Sequence, residues 1–389
     1  MEKKVIKKND WVSNFTLIGK PKISEDYSFK IDERSSKSNW IYNSMNLGVD
    51  CGERFGVVYC ELMGGYSSEN ENRIYVYPKK DDGSTDFENQ MVVDWNDRFN
   101  DDVLEDISDM SFITVGLEKT SADKTFYKKF LSAYDAIAYI KDHLSEDMTI
   151  CVRGNLKYSS YNDTVQVRKN ITSIALSKAD DSSKYKATFT QSILIDKDSA
   201  SLKKDGIDMD KGVMFVNARV LDYVKEVNGI EVKGQYPYAK QFEFAMNVEN
   251  DKQCKTIYEK LFKVKKGITQ VSFEGDFIEG GAVVTATWDD IPDDIKDLVE
   301  MGVYTKEEAL AKCTANGSRE RRMVLRKPMI KLVGDDKVPV VQKFEERFTE
   351  DDLVLDCMTK SNSVNNDKPH FDTDEESGAD SSMDWLNNL

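Results

Sequence analysis

No stretch of these 389 residues is apolar for the length of a membrane span, and the basic N-terminus, MEKKVIKKNDW, has no apolar signal core behind it. A soluble, cytoplasmic protein is expected. Histidine is almost missing, with only His143 and His370, and the six cysteines (Cys51, Cys60, Cys151, Cys254, Cys313, Cys357) are scattered without a CxxC pair. Neither a zinc site nor a disulfide framework is indicated, so reduced thiols are expected, several of them in strands. The common catalytic signatures are missing as well: there is no GxxxxGK[ST] phosphate loop, no GxSxG elbow and no HExxH. One acidic run, Asp94, Asp97, Asp101, Asp102, Glu105 and Asp106, lacks the glycine and the spacing of a calcium loop and puts Arg98 where a ligand belongs. It reads as a solvated acidic helix or loop. No catalysis, metal or cofactor is expected.

Positive charge is in deficit too: 54 Lys and Arg face 70 Asp and Glu, a net −16. The last segment, 361–389, holds seven acids against Lys368, or −6, so −10 remains on residues 1–360. Any site for a polyanion must then be a local basic groove on an acidic body. Two local clusters qualify. Arg153, Lys157, Arg168 and Lys169 form one, and the run Arg319, Arg321, Arg322, Arg326, Lys327 and Lys331, interrupted by Glu320 alone, forms the other.

The end of the chain is the most distinctive stretch. FDTDEESGADSSMDWLNNL carries no Lys or Arg and closes on an apolar tip of Met383, Trp385, Leu386 and Leu389. So charged a segment cannot offset the entropy of ordering and is expected to be a disordered tether. The tip, with Asp380 and Asp384 beside it, suits a short motif that docks on another protein.

Periodicity predicts a mainly β (α+β) chain. Trp40–Val49 alternates, with Met45, Leu47 and Val49 on one face and Trp40 and Tyr42 on the other; Phe55–Met63 and a short strand at Arg73–Tyr77 follow. Ser111–Leu117 precedes a helix opened by Ser132 and Asp135 as a capping box, with Ile137, Ile140 and Leu144 on its apolar face. Met148–Leu176 then reads as a hairpin with Arg153 and Lys157 outward and Tyr158 and Tyr161 near its tip. A helix between the third and fourth strands, before a final hairpin, is the order of a five-stranded OB barrel.

The second half repeats that order with strands at Lys186–Ile195, Gly212–Val227 and Ala239–Val248, a helix over Lys252–Val264, then Thr269–Phe277 and Arg321–Leu332. An inserted helical pair, Pro292–Met301 and Thr305–Cys313, falls where the last hairpin loop of a barrel would be. The expected organisation is two tandem OB-like barrels with helical insertions: residues 1–180 with an N-terminal arm and an acidic insertion, 181–335, and an acidic linker and tail over 336–389.

A single-strand-binding barrel needs cations for phosphates and flat rings for bases. The candidates are Trp40, Tyr42, Tyr59, Tyr158, Tyr161, Tyr223, Tyr236 and Tyr238 for stacking, with Arg153, Lys157, Arg168, Lys169, Arg219, Arg322, Arg326 and Lys327 along the backbone.

These features together, with the hairpin TICVRGNLKYSSYNDTVQVRKNITSIAL and the tip MDWLNNL, resemble the single-stranded DNA-binding proteins of large bacteriophages. The resemblance implies a non-enzymatic protein of the host cytoplasm that coats and protects single-stranded DNA in replication, recombination and repair. It also implies a tail that recruits a polymerase, helicase, primase or recombinase. Some members carry a zinc finger, whose spacing is not present here. A virion or assembly protein built from OB-like barrels, or an RNA-binding protein, is the alternative.

Overall fold

The computed structural model describes residues 10–36, 38–161, 164–227, 230–280, 320–333 and 337–355, with residue 358 beyond. Between 280 and 320 it describes only 283–284, 288, 291, 293–301, 305–306 and 315–316. The tail with Asp380, Met383, Asp384, Trp385, Leu386 and Leu389 lies outside these residues, as does most of the expected second inserted helix; the first inserted helix is present over Asp293–Glu300.

Ten strands close two barrels of five. In the first, β1 (Ser13–Lys22), β2 (Trp40–Asp50) and β3 (Val57–Ser67) are joined by β4 (Ile150–Tyr161) and β5 (Thr164–Leu176). β1 pairs antiparallel with β2 and with β4, β2 with β3, and β4 with β5, while β3 and β5 close the ring in parallel at Glu61 and Asn170. A helix, α1 (Ala133–His143), lies between the third and fourth strands and buries Ala136, Ile137 and Ile140. The second barrel repeats the circuit with β6 (Lys186–Ile195), β7 (Val213–Val227), β8 (Ile230–Ala245), β9 (Ile268–Gly280) and β10 (Glu320–Pro328). Again the third and fifth strands, β8 and β10, are the parallel pair, and again a helix, α2 (Asp251–Ile257), precedes the fourth strand. This is the OB arrangement, formed twice.

Strand alternation drives each closure. Phe15 and Leu17 of β1, Met45, Leu47 and Val49 of β2, and Val58, Cys60 and Leu62 of β3 all turn inward and are buried. One hydrophobic cluster continues from these residues to Phe242, Phe244, Phe273 and Phe277 of the second barrel. The barrels are fused along a seam in which β1 and β6 pair antiparallel from Ser13↔Gln191 to Ile18↔Lys186. Gln191, fully buried there, accepts hydrogen bonds from Ser13 Oγ and Tyr158 Oη, each at 2.9 Å. A second clamp is the loop between β2 and β3. Gly56 adopts φ +73°, and a Cβ on it would lie 1.9 Å from the Glu279 carbonyl oxygen, while Glu279 N donates to Phe55 O at 2.9 Å.

Four expectations need correction. The first barrel begins at Ser13, not at Trp40, and Arg73–Val76 pairs with Met91–Asp94 in a small side sheet outside the barrel. β8 begins at Ile230, well before Ala239; it meets β10 only from Glu243, so over the stretch that holds Pro237 it is an edge where proline is tolerated. Ser132 caps α1 by accepting from Tyr134 N, but Asp135 turns away to pair with Arg98 at 2.7 Å, so no capping box forms. The chain also does not become a linker at 336. Val338–Val341 pairs with Ile330–Val333, Lys343–Phe348 pairs with β9, and Leu353 and Leu355 are buried on Leu194, Leu221 and Ile268.

Among the described residues no helix is long and apolar enough to cross a membrane, and no cluster of His, Cys, Asp and Glu could hold a metal. The described cysteines, Cys51, Cys60, Cys151 and Cys254, are free thiols.

Candidate nucleic-acid interface

The residues of β2 and β3 that do not face the core face outward as a set. Trp40 and Tyr42, two apart on β2, lay their rings together with centroids 5.0 Å apart and planes 16° from parallel. Tyr59 stands outward on β3 opposite Gly48, and a Cβ on that glycine would lie 3.2 Å from the Tyr59 ring and 3.4 Å from Lys22 Cβ. Glycine there lets the tyrosine ring lie across the sheet toward β1. From Tyr42 to Gly48 is six residues, or about 20 Å of strand. Between the two aromatic positions lie Ser44, Asn46, Met63 and Glu61, with Met63 about half exposed. Arg168 Nε of β5 reaches Glu61 Oε1 at 3.6 Å. Burial holds the Glu61 carboxyl above its ordinary pKa, and Arg168 and Lys169 pull it back only in part.

The expected cations separate on the structure. Arg153 is exposed on β4. Lys157 crosses to the second barrel, pairing with Asp222 at 3.2 Å, and Asp222 also accepts from Tyr158 N. Lys169 corrects the expectation of a phosphate contact: only 9% exposed, it pairs at 2.7 Å with Glu279, itself 7% exposed, over the Phe277 ring. Arg322 pairs with Glu243, Arg326 with Asp276 at 2.9 Å and Lys327 with Glu274 at 3.0 Å.

The aromatics divide as well. Tyr158 is 5% exposed and Tyr238 6%, so neither is an open platform; burial pushes Tyr158 well above its ordinary pKa and, with Asp222 nearby, Tyr238 up to about 12. Tyr236 is half-buried against Tyr238, at 4.8 Å between centroids. Tyr161 ends β4, and its side chain lies outside the described residues. Tyr223 is half exposed on the β7–β8 pair.

The matching outer face of the second barrel is occupied. Arg219, its central cation, lies between Asp196 at 3.7 Å and Glu350 at 3.0 Å, and the segment after Glu350 sets Leu353 and Leu355 against Leu221. The corresponding face of the first barrel carries Trp40, Tyr42 and Tyr59, each half-buried on its outer side.

Sequence reasoning missed a cleft of about 1130 Å³ that lies where the two barrels join. Lys20, Lys186, Arg54 and Tyr185 line it together with Arg326 and Lys327, facing the carboxylates of Asp50, Glu53, Glu274 and Asp276. Neither Lys20 nor Lys186 belongs to the two basic clusters picked out in the sequence. The seam register, which sets Ile18 opposite Lys186, is what joins them.

In comparisons with known proteins, a family described only as YorF matches residues 111–268, less than half of the chain, from the acidic insertion to the start of β9. No curated protein matches. Among solved structures that match is the crystal structure of a deletion mutant of the single-stranded DNA-binding protein from Thermus aquaticus, with 10% identity over 69% of this chain and 87% of that one. The TM-score is 0.28, too low for the likeness to carry an argument, and the OB assignment rests on the two strand circuits.

Proposed function

We propose that this chain is a single-stranded DNA-binding protein that coats and protects DNA during phage replication, recombination and repair, and that it binds without catalysing. The observation that carries this is the outer face of β2 and β3. In an OB barrel the second and third strands are the oligonucleotide-binding face, and here that face presents the stacked Trp40–Tyr42 pair and Tyr59 with Lys22 and Arg168 at its margins. Rings accept any base and cations follow phosphates, so such a face favours a single strand over a duplex, whose bases are already stacked. The acidic tail is assigned to recruitment: its Met383, Trp385 and Leu386 tip would engage a polymerase, helicase, primase or recombinase once DNA displaces the tail from the basic surface.

The test is a titration of the intact chain with fluorescent oligo-dT of about thirty nucleotides, spanning two sites of up to ~16 each, at low and moderate salt beside duplex and RNA controls. Tight, salt-sensitive preference for the DNA single strand supports the assignment. Preference for the RNA oligomer moves it to RNA, and no binding at low salt replaces it with an assembly role.

A further inference from the structure

The aromatic face does not stop at the edge of the first barrel. Tyr59 lies across Gly48 toward Lys22, and the next outward position of β1 is Lys20, whose register partner on β2 is Asp50. Beyond the seam the outward positions of β6 are Lys186, Thr188 and Thr190, and their neighbours on β9 are Asp276 and Glu274. Arg326 and Lys327 of β10 complete the crossing. Closure of the first barrel puts β2 and β4 on opposite edges of β1, and β6 pairs with the same stretch of β1 as β4 does, so β6 follows β2 along one edge of β1; the end of β2 meets the start of β6, and β9 and β10 extend the floor beyond it. The cleft of about 1130 Å³ opens where β1, the loop between β2 and β3, β6, β9 and β10 meet, and it is larger than the ~300–1,000 Å³ of a small-molecule pocket.

One wall is the loop between β2 and β3, held to the second barrel through Gly56 and Glu279. It carries Arg54, whose guanidinium lies 4.9 Å from the Phe55 ring centroid. A single carboxylate oxygen, Asp276 Oδ2, accepts from both Arg54 Nη2 at 2.8 Å and Arg326 Nε at 2.9 Å. Two guanidiniums thus share one acid, and each Asp276 contact engages one of five N–H donors. The remaining donors fit phosphate oxygens. Lys20 and Lys186 are both exposed, and Asp147 lies close enough to Lys20 to feel its charge.

We infer that the seam cleft is a binding site for the phosphodiester backbone of single-stranded nucleic acid, which leaves the aromatic face of the first barrel at Tyr59 and passes Lys20, Lys186 and Arg54 to reach Arg326 and Lys327. This rests on the single-strand-binding function proposed above and adds the route between the barrels. The route is set by the seam, and it avoids the second barrel's own face, where Glu350 and Leu353 sit.

The test compares the wild type with a Lys20→Gln/Lys186→Gln double variant on oligo-dT of about thirty nucleotides and of about eight, the latter within the ~4–16 that one OB barrel covers. Single strands release counterions with a log–log salt slope of about 0.7 per phosphate neutralised. On the long oligomer the double variant is expected to bind more weakly at low salt with a slope shallower by about 1.4, and on the short one to match the wild type. If the wild type binds and Trp40→Ala weakens it while the double variant keeps the full slope on the long oligomer, the cleft route is wrong and the aromatic face stands. A double variant that weakens both lengths equally also overturns the crossing, since both lysines would then serve the first barrel alone. Failure of the wild type to bind either oligomer removes the function and this route with it.

Discussion

Removing the Trp40–Tyr42 platform should weaken single-strand binding without changing its salt dependence. A base stacked on an aromatic side chain contributes about 1–3 kcal/mol, which at 1.4 kcal/mol per tenfold is roughly 5- to 150-fold in affinity. The geometry decides how the two rings share that. With centroids 5.0 Å apart and planes 16° from parallel, each ring covers one face of its neighbour, so the pair acts as one platform and not two. Trp40→Ala and Tyr42→Ala should each lose a large part of the contribution, and the double variant should lose far less than the product of the two, because residues in contact are not additive. Neither ring contacts a phosphate in this scheme, so the slope of log affinity against log salt should stay at the wild-type value. Both residues lie outside the core, and the stacked pair itself contributes only about 1 kcal/mol to stability, so a melting curve close to wild type is the folding control. The assay is anisotropy of labelled oligo-dT at four or more salt concentrations. A double variant within twofold of the wild type at every salt, with wild-type binding intact, would refute the assignment of this face.

Glu61 predicts a pH effect of definite sign. Its carboxyl is held above the ordinary value by burial, so the folded chain keeps a proton at a pH where the unfolded chain has lost it, and stability falls as pH rises through that window. The same protonation releases Arg168, so single-strand binding should tighten as pH is lowered through that window. Glu61→Gln should reproduce that gain at pH 7, by up to about fivefold for a partly exposed pair worth ~0–1 kcal/mol, and flatten the pH profile; an unchanged profile counts against it. Lys169→Met should destabilise the fold by about 3–5 kcal/mol, because it leaves Glu279 buried and unpaired. Adding Glu279→Gln should restore much of the loss in urea titrations, whereas a contact made only to DNA would leave stability untouched. Gly56→Ala should lower stability by at least the ~1–2 kcal/mol of left-handed backbone in a residue with a Cβ, and by more through the clash with Glu279; a melting temperature equal to wild type would contradict the clamp. Deleting Asp372–Leu389 should tighten DNA binding at low salt and abolish capture of the partner enzyme, and unchanged low-salt affinity would exclude competition by the tail.

Much of the fold is legible because strand parity is a local property. The β4–β5 hairpin, the helix ahead of it and its repetition in the second half follow from alternation and turn residues alone. Parity also holds information about the site. Tyr158 shares the even positions of Val152 and Leu156, Tyr238 those of Phe242 and Phe244, and Lys169 the odd position of Ile171; all three turn inward and are buried. Trp40 and Tyr42 have the opposite parity to Met45 and Leu47, and they remain outside. Counting aromatics and cations by proximity in sequence mixed the two sets. β1 was harder to read, since its inward residues Phe15 and Leu17 are followed by a Gly-Lys-Pro-Lys run that looks like a basic arm. The seam was beyond any local rule, because its register joins residues about 170 apart. That register does two things at once. A slip of one residue in β1 would turn Phe15 and Leu17 out of the core and swing Lys20 and Lys22 inward, so the pairing that completes the hydrophobic cluster is the same one that puts the lysines on the outer floor. The basic route is therefore tied to the fold's stability: a chain that closes both barrels correctly must also line the cleft.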